Sequence, residues 1–214
     1  MERYTVRRLD LLSGQEPDEV GALFGIPGGL EDAPICHWTA TPENYRPLCG
    51  CRMGWNTGGL TVWEYAMETE LRTEEKGTGC RAWCDSCLEV FLAPDPDRPT
   101  YYFNYECTPW PAVHFGLGTG RAERKVYAQL PSGMQPSAVI VPEKGWAIRY
   151  RIPEDYLRET FGVTLRPGMT LRGNFQKCGD LTHVPHWGMW NPPEPPLAAP
   201  DFHRPEFFGI LRLE

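Results

Sequence analysis

From Leu60 onward, apolar and polar residues alternate along much of the chain, the repeat of strands that bury one face. In TVWEYAMETEL, Val62, Glu64, Ala66 and Glu68 fall on one face and Trp63, Tyr65, Met67 and Thr69 on the other. LEVFLAP (88–94) and TYYFNYEC (100–107) read as the next two strands. The sharp turn PDPDRP between them predicts a hairpin. HFGLGTG, RKVYAQL and GWAIRYRIP continue in the same style, and MTLRGNFQK (169–177) and EFFGILRLE (206–214) close the chain. One segment, IPEDYLRETFG, breaks the period and predicts a short helix. Pro153 suits its first position, Glu154 and Asp155 suit the positive end of its dipole, and Gly162 supplies the stop.

The first 57 residues are less regular. Tyr4, Val6 and Leu9 to Leu12 predict one edge strand, and GQEPDEVGALFGIPGGLEDAP has too many Gly and Pro for more than a short helical turn. Trp38, Tyr45 and Trp55 stand between turn residues and are expected to pack on the core. No repeat or dividing linker is visible, so residues 1–214 read as a single domain. Residues 58–214 would form its core, with 1–57 an extension packed on it. About nine strands, frequent turns and one short helix describe an all-β fold, an antiparallel β-sandwich.

Composition sharpens this picture. Twenty-two Gly, 22 Pro and 12% aromatics favour short strands and turns over long helices. With a net charge of −7 and no extended Lys/Arg run, neither a nucleic-acid nor an anionic-membrane partner is expected. MERYTVRRLD lacks an apolar core for a signal peptide. The chain as it stands therefore reads as cytoplasmic, or as secreted if a signal has been removed. The eight cysteines suit a chain with its own core as free, buried thiols better than as a disulfide framework. Cys84 and Cys87 form a lone C-x-x-C that runs into a predicted strand, where the two would face opposite ways, so no metal site is expected.

The chemistry concentrates between the last two strands. His183, His186, Trp187, Trp190 and His203 lie on a loop rich in Pro, where no regular structure requires them. Irregular loops that carry aromatic and polar groups are common binding elements.

CDSCLEVFL followed by the YYFNYE strand, GWAIRYRIP, LRGNFQKCGD, HWGMWNPP and the ending PDFHRPEFFGILRLE resembles the family 9 carbohydrate-binding modules. The match is closest to the divergent family 9-like branch and spans about residues 58–214. The resemblance implies a DOMON-like β-sandwich and glycan recognition, in the best-known members at a sugar's reducing end between two tryptophans. Carried over by position, Trp83 and Trp190 resemble those tryptophans and Glu89 the acidic residue that follows the first. Two indoles can hold the C–H faces of a pyranose by dispersion while charged and amide groups read its hydroxyl rim. Trp187, Asn104, Arg121, Lys177 and Asn191 complete the candidate ligand-binding set. The sequence departs from the better-known branch in two places. Tyrosine and phenylalanine replace charged residues on the strand equivalent to TYYFNYEC, and the acidic N-terminal calcium motif has no counterpart. No cofactor is therefore expected, although the resemblance alone would imply calcium.

The leading expectation is a non-catalytic protein whose partner is a mono- or oligosaccharide. The alternative is a small glycan-active lyase or hydrolase using His186 or His203 with Glu89 or Asp180 as acid–base groups. A haem-binding sandwich, with Met189 as axial ligand, is a third reading. No P-loop, dinucleotide or G-x-S-x-G signature is present.

Overall fold

A computed structural model describes residues 1–214. Strand β1 (Arg3–Arg8) is followed by helix α1 (Glu19–Phe24), then β2 (Ala33–Pro34), β3 (His37–Trp38), β4 (Cys49–Asn56) and β5 (Gly59–Ala66). Next come β6 (Cys87–Ala93), β7 (Tyr102–Cys107), β8 (Val113–Gly118), β9 (Arg124–Val126), β10 (Ser137–Val141) and β11 (Gly145–Pro153). Helix α2 (Glu154–Phe161), β12 (Thr170–Gly179), β13 (His186–Met189) and β14 (Gly209–Leu213) complete the chain. The all-β class expected from the alternation is observed. There are 14 strands where about nine were expected, because β2, β3, β9 and β13 are too short to leave a periodic trace.

The strands run in the order β10-β11-β5-β4-β1-β14-β12-β6-β7-β8-β9, one curled sheet whose two halves face each other. The curl turns at β1. Its first four paired residues, Arg3 to Val6, bond to β14 and its last two, Arg7 and Arg8, to β4. Both pairings are parallel, whereas the other neighbours along this path are antiparallel. The expectation of a purely antiparallel sandwich with an edge strand near Tyr4 is corrected here, since β1 is central. Residues 1–57 also supply β4, which pairs with β5 along its whole length. They are part of the sandwich, not a layer added to it. CGCRMGWN escaped notice because all but the last of its residues are buried, and a strand covered on both sides loses its two-residue alternation.

Between the halves lies one large core. Leu88, Val90 and Leu92 of β6, with Phe103 and Tyr105 of β7, face Leu60 and Val62 of β5 and Ile148, Tyr150 and Ile152 of β11. Tyr105 and Tyr150 stack at 3.9 Å, 11° from parallel. Strand β5 was expected to bury one face, yet all eight of its residues are buried. Its second face, Trp63 and Tyr65, is covered by Phe24 and Ile26 at the end of α1. Asp18 caps α1 by accepting from the Gly21 amide at 2.8 Å, and Gly25 ends it with φ of 69°. The α1 cap is fastened down by Arg52 of β4, which donates to both Asp18 oxygens at 2.9 and 2.7 Å. The chain thus has two short helices where one was expected. Helix α2 matches expectation, with Gly162 left-handed at its end, although Pro153 caps the helix instead of opening it. No helix is long and apolar enough to cross a membrane.

One charged cluster is sealed inside this framework. Lys177 of β12 has no exposed surface and lies 3.1 Å from the Glu68 carboxylate, just beyond β5. Its ammonium also donates to His186 Nε2 at 2.6 Å, while His186 Nδ1 donates to the Val184 carbonyl at 2.8 Å. Trp146 Nε1 and the Tyr45 hydroxyl donate to Glu68 at 3.1 and 2.8 Å. Burial and the neighbouring ammonium lower the His186 pKa to about 4, so the ring is neutral and accepts from Lys177. Burial alone would raise the Glu68 carboxyl, but Lys177, His186, Trp146 and Tyr45 together hold it below its usual range.

Both shifts act in the same direction. A folded-state pKa below the unfolded value, for His186 and Glu68 alike, gives stability that is present at neutral pH and lost as pH falls. For His186 the window runs from about 6.5, its unfolded value, down to about 4. Buried carboxyls with raised pKa, Glu89 and Glu106 among them, titrate in the opposite sense, so the test is a difference. Between pH 7 and 4 in urea titrations, the parent protein should lose roughly 2–3 kcal/mol relative to His186→Gln. Lys177→Met, which strands Glu68 in the core, should cost about 3–5 kcal/mol at pH 7, and this loss should not depend on added salt. A stability difference between the parent protein and His186→Gln that is independent of pH over this range would refute the assignment.

Candidate functional site

Strand alternation puts a second set of side chains on the opposite face of the same strands. Because antiparallel partners in register share a face, the pairs Cys87–Cys178, Glu89–Gln176, Phe91–Asn104, Glu89–Glu106 and Glu106–His114 all project away from the large core. The pair Cys178–Trp187 brings β13 onto that face as well. Loops around these strands close a pocket of about 150 Å³ above it. Glu89, Glu106 and Cys178 are its floor, Trp83 and Trp187 supply indoles, Arg121 and Arg124 bring two guanidiniums, and His203 and Phe202 close the far side.

The tryptophans are held by one residue. Asp180, just after β12, donates its amide to the Trp83 carbonyl at 2.9 Å and accepts from Trp187 Nε1 at 2.7 Å. It therefore joins the turn carrying the first indole to the ring of the second. Trp83 rests edge-on against His114 at 4.9 Å. Both indoles remain partly exposed, as a stacking surface must.

The floor is charged and crowded. Glu89 accepts from the Cys178 thiol at 2.8 Å, and Asn104 donates to Glu106 Oε1 at 2.8 Å. The other Glu106 oxygen has no partner although the residue is 2% exposed. Burial pushes Glu89 up to about 7, opposed by the Cys178 hydrogen bond and by Arg124 and Arg121. Burial and the adjacent Glu89 raise Glu106 as well, because two buried carboxyls side by side resist holding two negative charges. Arg124 reaches across Gly116, where a Cβ would lie 3.0 Å from its Cδ and 2.6 Å from Asn104 Oδ1. Its guanidinium contacts both ring nitrogens of His203 and, at 3.4 Å, His114 Nε2. The Tyr102 hydroxyl also hydrogen-bonds His203 Nδ1 at 2.7 Å. Burial and the two arginines lower the His203 pKa to about 2, leaving a neutral acceptor.

Of the candidates from sequence, the structure brings Trp83, Glu89, Arg121, Trp187, Asp180 and His203 to one pocket. Asn104 stands beneath it, touching it through Glu106. Three others lie elsewhere. Lys177 faces the core, with its ammonium spent on Glu68 and His186. Trp190 is buried in the core against Phe175 and Tyr4, at centroid distances of 5.2 and 6.4 Å. Asn191 is a structural clasp: it accepts from the Glu2 amide at 2.6 Å and donates to the Phe207 carbonyl. The cause of the Trp190 misplacement is that the loop is not irregular at this point. His186–Met189 is a strand, and positions three apart in extended chain face opposite ways, so Trp187 takes the place expected of Trp190. The same parity sends His186 to the far side of the sheet from Glu89, which separates one of the pairings considered for acid–base work, while His203 shares the pocket with Glu89 and Asp180. Met189 is buried opposite His37 of β3 and does not line the pocket.

Sequence reading missed Glu106, Arg124, Phe91 and Phe202. Glu106 carried a usable signal, since it shares its strand face with Asn104. Arg124, on a three-residue strand, carried none.

These placements separate the two neighbouring tryptophans by experiment. Trp190→Ala should destabilise the fold by roughly 3–5 kcal/mol in urea unfolding. Trp187→Ala, at a partly exposed position, should cost no more than about 1 kcal/mol. Equal losses at the two positions would contradict the opposed facing.

Comparison with known proteins accords with this geometry. The sequence profile of Carbohydrate-binding family 9 matches residues 34–213. Among solved structures, a proposed carbohydrate-binding protein from Bacteroides uniformis ATCC 8492 superposes with a TM-score of 0.78 at 23% identity, over 100% of this chain and 99% of that one. A family 9 module from Caldicellulosiruptor kristjanssonii in complex with cellotriose superposes with a TM-score of 0.66 at 13% identity, over 100% of this chain and 94% of that one. Its complex with glucose gives the same score and identity, with 96% of that chain covered. A search of curated proteins found no match. The profile spans most of the chain and the fold agrees along all of it: the chain belongs to carbohydrate-binding family 9.

Proposed function

We propose that the pocket between Trp83 and Trp187 is the saccharide site of this chain and that it binds a mono- or oligosaccharide without transforming it. The observation that carries the reading is the pairing of two partly exposed indoles, tied together through Asp180, with a floor of hydrogen-bonding groups. A pyranose offers C–H faces to the indoles and hydroxyls to the floor. The unpartnered Glu106 oxygen is an acceptor waiting for a hydroxyl donor. Arg124 and Arg121 donate to hydroxyl or ring oxygens, and Glu89, Glu106 and Asp180 accept. The complexes of the Caldicellulosiruptor kristjanssonii module make glucose and cellotriose suitable first probes.

Several features support binding over turnover. Glycoside hydrolysis needs two carboxyl groups flanking the scissile bond, whereas Glu89 and Glu106 are neighbours on one floor. His203, held by Arg124 and Tyr102, is kept neutral and has no carboxylate partner within hydrogen-bonding reach to stabilise an imidazolium. His186 lies on the other face of the sheet.

Calorimetric titration with glucose and cellotriose tests the proposal. Trp83→Ala and Trp187→Ala should each weaken binding at least tenfold, about 1.4 kcal/mol or more. Glu106→Gln should weaken it several-fold, and Trp190→Phe should leave the affinity of the folded protein unchanged. Released reducing ends after long incubation with oligosaccharides, abolished by His203→Ala, would instead establish an enzyme. Affinities unaffected by both indole substitutions would move the site away from this pocket.

A further inference from the structure

The sequence draws attention to Cys84 and Cys87, but the fold gives Cys87 a different partner. Cys87 of β6 and Cys178 of β12 are directly opposed across the sheet, and Glu89 stands two residues along the same face. The two sulfurs and a Glu89 carboxylate oxygen all lie within 4.8 Å of one another. The three residues are 0%, 1% and 2% exposed. Cys178 and Glu89 also line the pocket, so the cluster is sealed behind and open in front.

We propose that Cys87, Cys178 and Glu89 form a binding site for a thiophilic divalent cation, zinc being the natural occupant, with its fourth coordination position facing the pocket. Two thiolates and a carboxylate are a donor set that zinc accepts, and three protein ligands with one open position is the arrangement of accessible zinc sites. Bond lengths of about 2.3 Å to sulfur and about 2.0 Å to oxygen place tetrahedral ligand atoms roughly 3.5–3.8 Å apart. The three atoms already lie within 4.8 Å of one another, so shifts of about 1 Å would bring them to that spacing. The 2.8 Å hydrogen bond from Cys178 to Glu89 opens when the thiol proton leaves. On binding, each thiol releases one proton to solvent and donates its sulfur lone pair to the metal, and Glu89 contributes one oxygen, releasing its own proton in the molecules where it is protonated. No electron transfer is involved. The backbone pairing of β6 with β12 fixes these residues before any metal arrives, so the site needs little rearrangement. This inference does not rest on the saccharide reading.

The test uses the full chain, kept reduced and stripped of metal, with Co²⁺ as a spectroscopic probe and Zn²⁺ as its competitor. One equivalent of Co²⁺ should produce a thiolate-to-metal charge-transfer band together with the intense visible bands of a tetrahedral ion, and Zn²⁺ should abolish both. Cys87→Ser and Cys178→Ser should each weaken Co²⁺ binding at least a hundredfold and remove the charge-transfer band or halve it. Glu89→Gln should weaken binding while keeping that band. Cys84→Ser and Cys36→Ser should match the parent protein. X-ray absorption of the zinc-loaded parent protein should give two sulfur neighbours and lighter atoms for the rest. That measurement decides the matter even if a variant fails to fold. The proposal is overturned if the reduced parent protein gives no charge-transfer band, if absorption shows other than two sulfurs, or if Cys84→Ser is as damaging as Cys178→Ser.

Discussion

The buried contact of Lys177 with Glu68 is the constraint on which the placement of the site depends. A charged pair with no access to water is tolerated only when its hydrogen bonds are met, and here Trp146, Tyr45 and His186 meet them. The groups come from both halves of the curled sheet, β11 and the end of β5 on one side, β12 and β13 on the other. Satisfying them requires Lys177 to point inward. Once it does, Gln176 and Cys178 must point outward, and the register of β12 with β6 and β13 carries Glu89 and Trp187 out with them. A slip of one residue in β12 would put an ammonium into the pocket and a thiol against Glu68.

The pocket answers a different electrostatic problem. Three carboxyl groups and two guanidiniums share a small volume with two histidines. The histidines stay neutral and the carboxyls of the floor are held above their usual range. Fixed, partly satisfied donors and acceptors of this kind suit a neutral polyhydroxylated ligand, whose hydroxyls can act in either sense. Rigidity comes from the backbone: the floor residues stand on three paired strands, and Asp180 locks the two indoles to the end of one of them.

How much could be seen in the chain depends on which physical signal each part leaves. Strands β5 to β8 and β11 and the closing strands show as aromatic, β-branched or alternating runs, even where β5, β6 and β7 are buried on both faces, and helix α2 shows because caps mark its ends. Strand β4 is hidden because burial on both faces erases alternation; β1 is legible as a strand, but its central place rests on long-range parallel pairing with β14 and β4 that no local pattern records. For the site, Trp83, Glu89, Arg121 and Trp187 were legible from residue chemistry and family resemblance. Lys177, Trp190 and Asn191 have the same chemistry but point elsewhere: Lys177 shares a face of β12 with the core residue Phe175, and the strand character of His186–Met189 sets Trp190 opposite to Trp187. Arg124, Pro200 and Phe202 converge through tertiary contacts that no local pattern records. Cys178 stands beside Cys87 through the pairing of β6 with β12, strands far apart in the chain, which no local cysteine spacing records.

Strand β1 lies parallel to β14, with Arg3 opposite Ile210 and Val6 opposite Leu213, and the Glu214 amide still donates to the Val6 carbonyl at 3.1 Å. The first and last residues of the chain therefore sit at opposite ends of one strand pair. A force that drew them apart would not peel this pair bond by bond. It would slide one strand along the other, loading all of its hydrogen bonds at once, together with those from β1 to β4. Seen as a mechanical element, the fold carries its strongest geometry along the line joining its two ends, while the pocket between Trp83 and Trp187, built on β6 to β9, β12 and β13, lies outside that line of load.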